Sequence, residues 1–161
     1  MSFTAQPLSD DKTEAYRDLA QQLHALIGDE RDAIANAANT SALIFDLLPG
    51  LNWAGFYFLK GGELVLGPFQ GKPACVRIAI GRGVCGTAAA TRRSQLVADV
   101  HEFPGHIACD AASRSELVVP LLRGGELLGV LDLDSPEAGR FDAADQAGIE
   151  TLAAIWVATS E

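Results

Sequence analysis

Up to Leu48 the apolar residues fall three and four apart, from Trp53 onward they fall two apart, and beyond Asp142 the wider spacing returns. A chain whose period changes this way carries helices at its ends and strands between them. The first stripe is Tyr16, Leu19, Ala20, Leu23, Leu26 and Ile27, which predicts a helix from Thr13 to Ile27 ended by Gly28. Asp29 is expected to cap a second helix, with its stripe at Ile34, Ala37, Ala38, Ser41, Ile44, Leu47 and Leu48 and its stop at Pro49-Gly50. Alternation then places Trp53, Gly55, Tyr57 and Leu59 on one strand face and Ala54, Phe56 and Phe58 on the other. Lys60-Gly61-Gly62 turns this strand into a second at Glu63 to Leu66, and a third is expected from Cys75 to Ile80. A short helix at Thr87 to Arg92 and a strand at Gln95 to Val100 follow, then an irregular stretch from His101 to Ser115. Strands at Leu117 to Arg123 and Glu126 to Asp134 are joined by Gly124-Gly125, a strong hairpin signal. Asp142 with Asp145 caps a closing helix that presents Ile149, Leu152, Ala153, Ile155 and Trp156. This order predicts an α+β domain with a largely antiparallel sheet, the terminal helices on one face and a ligand pocket on the other.

The 161 residues, 48% hydrophobic and 20% charged, suit a single domain with one sizeable core. A net charge of −9 repels phosphate backbones and anionic head groups, so neither nucleic acid nor a membrane surface is an expected partner. No run approaches the roughly 18 apolar residues of a spanning helix, and the Leu47 to Leu59 stretch is broken by Pro49, Gly50 and Asn52. Met1 to Asp10 lacks the basic and apolar pattern of a secretory leader, so the expected compartment is cytoplasmic and the three cysteines are expected to be reduced thiols.

Gly81-Arg82-Gly83-Val84-Cys85-Gly86 matches G-x-G-x-x-G, with Asp99 where a dinucleotide fold places its ribose-binding acid. The context opposes that reading, because the following helix has barely two turns and glycine hairpins replace the helical crossovers of a doubly wound sheet. Backbone N–H groups at this helix start remain able to hold a small carboxylate. Cys75 and Cys85 fit the role of small buried hydrophobes, whereas the small-residue loop Gly105 to Ser113 leaves packing and reactivity both open for Cys109. His101, His106 and Cys109 lack a fourth partner and zinc-type spacing, so no metal site is assigned, and neither histidine is assigned a catalytic role.

Asp132 and Asp134 share one face of their strand, with Leu131 and Leu133 on the other. Their alternatives are a solvated sheet face or a paired carboxylate in which one acid keeps its proton. A strict two-residue turn at Gly124-Gly125 would pair Arg123 with Glu126 and set Glu116 opposite Leu133, facing away from both acids. For Glu116 to join them the loop must take an odd number of residues, a bulge must intervene, or Glu116 must precede the regular strand.

Asn52-Trp53-Ala54-Gly55-Phe56-Tyr57, the segment from Gly67 to Cys75, Gly81 to Ala88, the Phe103 to Asp110 loop, Ser115-Glu116 and Val130 to Ser135 together resemble the free methionine-(R)-sulfoxide reductases, which are built on a GAF domain. The resemblance runs from about residue 13 to Val157, leaving residues 1–12 as an N-terminal tail and 13–161 as the domain. The cysteines, ten and twenty-four residues apart, make it specific when taken with the acids. It implies reduction of free methionine (R)-sulfoxide by Cys109 as nucleophile, with Cys75 closing a disulfide onto it and Cys85 auxiliary. It further implies Trp53 and Tyr57 around the sulfoxide, Glu116, Asp132 and Asp134 as buried acids, thioredoxin as reductant, a homodimer, and no metal or cofactor. A sulfoxide sulfur accepts a thiolate only when its oxygen is protonated or strongly hydrogen-bonded, so an acid must face the nucleophile; Glu116 and Asp134 are the candidates. The rival reading is a non-catalytic GAF sensor of a small metabolite with redox-active cysteines.

Overall fold

In the computed structural model, which describes residues 2–106 and 111–161, the N-terminal helix α1 (Lys12–Ile27) begins where the Asp11 carboxylate accepts the Glu14 N–H. The second helix, α2 (Ala33–Leu47), starts at Asp32, not at the expected Asp29. The Glu30 carboxylate accepts the N–H groups of Arg31 and Asp32, which shapes the approach into a turn, and Asp32 is left to cap Ala35.

The strands β1 (Trp53–Lys60), β2 (Glu63–Gly71), β3 (Arg77–Ala79), β4 (Gln95–Val97), β5 (Ser115–Arg123) and β6 (Glu126–Ser135) form one sheet in the order β3-β2-β1-β6-β5-β4, every pair antiparallel. Gly61-Gly62 and Gly124-Gly125 all take positive φ, which closes both hairpins in two residues with the twist that the flanking strands require. The β2 strand runs five residues beyond its expected end at Leu66. An irregularity opposite Phe56 absorbs Gly67 and Pro68 there and lets the ladder continue past a residue that cannot donate to it. The expected strands at residues 75–80 and 95–100 shrink to three residues each, at the two edges of the sheet, where short strands limit edge-to-edge association.

The helix α3 (Gly83–Thr91) begins four residues before the expected Thr87, inside the glycine motif. A Cβ at Gly86 would lie 2.6 Å from the Ala79 carbonyl, so the glycine lets the helix start sit directly on β3. Packing thus accounts for the dinucleotide-like spacing.

The closing helix α4 (Ala143–Thr159) has the expected capping box between Asp142 and Asp145. With α1 and α2 it covers one sheet face, burying Leu19, Leu23, Ile44, Ile149, Leu152 and Trp156 against Phe56, Leu117, Leu131 and Leu133. The Tyr16 ring rests on Gly148, and its hydroxyl donates to Asp145 Oδ1 at 2.6 Å. Lys12 and Arg140 compensate that buried carboxylate. The opposite face carries a second, smaller cluster built from Trp53, Tyr57, Leu64, Val118, Val130 and the inward side of α3.

Candidate active site

The register of β5 on β6 decides what the second face presents. Arg123 pairs with Glu126, as the tight turn requires, but Leu121 pairs with Gly129 while Leu122 pairs with Leu127. The extra residue, Leu128, is a β-bulge, one of the three devices the sequence demanded. Beyond it the register is displaced by one, so Glu116 stands opposite Asp134 and Val118 opposite Asp132. Three carboxylates from two strands therefore share the face that the helices leave open.

β1 lies against the other side of β6 and pairs Trp53 with Asp134 and Gly55 with Asp132. The expected division of its faces holds: Ala54 and Phe56 enter the helical core, and Trp53 and Tyr57 face the acids. The Trp53 ring stacks between Tyr57 at 5.9 Å and Phe69 at 5.2 Å, and its Nε1–H donates to the Lys72 carbonyl at 3.2 Å. Gly55 makes room for Phe69, whose Cβ lies 2.3 Å from where a glycine Cβ would sit. The Tyr57 hydroxyl donates to the Cys75 carbonyl at 2.9 Å and so holds the half-buried Cys75 segment at the pocket's rim.

α3 closes the pocket from above. Cys85, a free and buried thiol, lies with its Sγ 3.9 Å from Glu116 Oε2. Cys85, Glu116 and Asp132 each offer a donor atom within 4.8 Å of the others. Burial pushes the Glu116 carboxyl well above its usual range, and the Asp132 and Asp134 charges push it further. Burial likewise raises Asp132, opposed by hydrogen bonds from Glu116 and Cys85. Burial and the same three acids push the Cys85 thiol well up and hold it protonated. The Tyr57 hydroxyl is also raised, by burial first and then by Asp132, so it remains a donor. Burial and the neighbouring charges thus bias Glu116 toward its protonated form, in which it can donate a proton.

One pocket is thus lined by Trp53, Tyr57, Cys85, Glu116, Asp132 and Asp134 together. Cys109 lies outside the described residues. Sequence reasoning passed over Lys72, Arg82, His106 and Ser113, which line the same pocket. Lys72 and Arg82 put cations at the rim of an acid-floored cavity, an arrangement suited to a zwitterion. His106 titrates below its usual value because of burial and the nearby His101. Arg82 and Lys72 were visible only as members of glycine-containing segments, where turn chemistry is the stronger signal.

Residues 35–158 match the GAF domain family. The protein YtsP of Bacillus subtilis is 57% identical over 146 residues, covering 89% of this chain and 90% of that one. The free methionine-R-sulfoxide reductase of Escherichia coli is 55% identical over 144 residues, covering 89% of this chain and 87% of that one. Among solved structures, the free methionine-R-sulfoxide reductase of Neisseria meningitidis in complex with its substrate superposes with a TM-score of 0.94 at 42% identity, covering 98% of this chain and 95% of that one.

Proposed function

The chain belongs to the GAF-domain free methionine-R-sulfoxide reductases, and from that premise we propose that it reduces free L-methionine (R)-S-oxide through a cysteine sulfenic acid and an intramolecular disulfide that thioredoxin reopens. The observation that carries this reading is the gathering of Glu116, Asp132 and Asp134 on the floor of a pocket walled by Trp53 and Tyr57.

The substrate's sulfoxide enters beside the two aromatic rings, whose faces pack the methyl and methylene groups. Glu116 or Asp134 gives a proton to the sulfoxide oxygen, which makes the sulfur electrophilic. The Cys109 thiolate attacks that sulfur, the S–O bond breaks, methionine leaves and Cys109 keeps the oxygen as a sulfenic acid. The Cys75 thiol displaces that oxygen as water, forming the Cys75–Cys109 disulfide. Two electrons and two protons from a thioredoxin dithiol restore both thiols, so each turnover yields one methionine and one water. The remaining carboxylates hold the substrate ammonium, and enclosure of both charged ends of the amino acid excludes a peptide chain.

No helix among the described residues is long and apolar enough to cross a membrane. The same reading sets the enzyme in the cytoplasm as a homodimer, with the 54% exposed Ile34 on α2 as an apolar contact. Sedimentation of a particle of one 16.9 kDa chain would overturn the dimer.

Incubating the reduced protein with racemic free methionine sulfoxide and a dithiol tests the chemistry. Loss of the R form alone is expected. Consumption of neither form, with ligand binding retained, would point to the sensor. Cys109→Ser is expected to abolish the first turnover, whereas Cys75→Ser permits a single turnover and stalls recycling by thioredoxin. Full single-turnover activity in Cys109→Ser would displace the nucleophile.

A further inference from the structure

Cys85 has no step in the reaction above, yet it is buried among the reaction's acids. Its sulfur and one oxygen each of Glu116 and Asp132 converge within 4.8 Å of one another. Asp132 is only 5% exposed, and its Oδ1 is buried with no hydrogen-bond partner. A buried acceptor in that state is costly unless paired, so Asp132 Oδ1 presents an acceptor for a cationic or hydrogen-donating ligand beside the thiol.

We propose that in the reduced protein Cys85, Glu116 and Asp132 form a site for one thiophilic divalent cation of the zinc type, and that occupancy of this site blocks the substrate pocket. The donor set selects the class of ion. One thiolate with two carboxylates and an open position suits zinc, cobalt(II) or cadmium, whereas magnesium and calcium require more oxygen ligands than three side chains supply. The geometry is near what such an ion needs. Tetrahedral ligands at about 2.0 Å for oxygen and 2.3 Å for sulfur stand roughly 3.5 Å apart, and the Cys85 sulfur is already 3.9 Å from Glu116 Oε2. Rotation of the carboxylates by about an ångström closes the rest. Binding replaces the Cys85 thiol proton and the proton held by the carboxylates with one dication, so the buried charge is balanced and no electron moves. The ion then occupies the acids that the proposed function assigns to the substrate ammonium and sulfoxide, so the competitive effect rests on that reading.

The test uses cobalt(II) chloride as the probe on the full chain, reduced with a phosphine and desalted without dithiol. A thiolate-to-cobalt charge-transfer band with the visible bands of a four-coordinate ion is expected at one equivalent. The band is expected to vanish in Cys85→Ser, to weaken in affinity at least ~10-fold in Asp132→Asn, and to persist in Cys75→Ser and Cys109→Ser. Circular dichroism of each variant establishes that it is folded. Persistence of the band in folded Cys85→Ser, or its loss in Cys109→Ser, overturns the site. In steady state, zinc chloride is expected to raise the KM for free methionine (R)-sulfoxide with kcat unchanged, and removal of the ion by EDTA to restore it. Formation of the Cys85-dependent band without displacement by the sulfoxide would uphold the metal site and instead overturn the assignment of the pocket to that substrate.

Discussion

Glu116 is buried beside two carboxylates and a thiol, and its ionisation bears on stability and, in the proposed reaction, on catalysis. Burial, with Asp132 and Asp134 adding to it, lifts its carboxyl well above the ordinary 4.5. Folded Glu116 therefore keeps a proton that the unfolded chain has already released. Its favourable contribution is fully present below the unfolded value and is lost as pH rises through the folded one. Unfolding free energy measured in urea is expected to decline as pH rises above the ordinary 4.5 toward the raised folded value, and Glu116→Gln is expected to flatten that decline. The same substitution removes the transferable proton while keeping the shape, so kcat should fall by about 10²–10⁴-fold if Glu116 is the general acid. A change in KM alone would pass that role to Asp134. Cys109, the nucleophile of the proposed reaction, is singled out only by family resemblance, since its small-residue segment lacks the spacing by which isolated sequence marks a nucleophile.

At the scale of elements, the hydrophobic period revealed three long helices, two hairpins and the faces of β1, because each alternation is locked to burial. It did not reveal how far the strands run. The β2 extension depends on an irregularity opposite Phe56, and the short edge strands end where only one neighbour offers hydrogen bonds. The second helix start was misplaced because four of the five residues from Gly28 to Asp32 are acidic or glycine, and several satisfy the rules for a cap. The existence of a bulge or an equivalent irregularity, by contrast, followed from arithmetic: a strict turn and a shared acid pocket are incompatible without a one-residue slip. Gly129, next to the bulge, is what lets β1 and β6 close there. A Cβ at this position would lie 2.1 Å from the Tyr57 carbonyl oxygen and 2.9 Å from the Phe58 Cα. Gly129→Ala is thus expected to force apart the two strands that carry Tyr57 and Asp132. A loss of about 3 kcal/mol or more in denaturant unfolding, with activity lost as well, is the expected result. Wild-type stability in this variant would mean that the strand contact is not needed to hold the pocket.

Across the whole molecule, β6 separates what holds the domain together from what it does. Leu131 and Leu133 point into the helical core, while Asp132 points into the pocket between them. These neighbours are predicted to respond to substitution in opposite directions. Leu133→Ala opens a cavity in the helical core and should cost about 2–5 kcal/mol, leaving the acids and aromatic rings of the opposite face in place. Asp132→Asn removes a buried acid whose Oδ1 has no partner, so it should stabilise the fold by about 0.5–2 kcal/mol. It should also lower kcat/KM roughly 10- to 100-fold through the loss of one hydrogen bond to a charged substrate group. Paired melting curves and kinetics on the two variants decide the matter. If Asp132→Asn melts below the wild type, the carboxylate is a structural partner of Glu116 and Cys85, and the unfilled acceptor in the pocket does not represent stability held in reserve for a ligand.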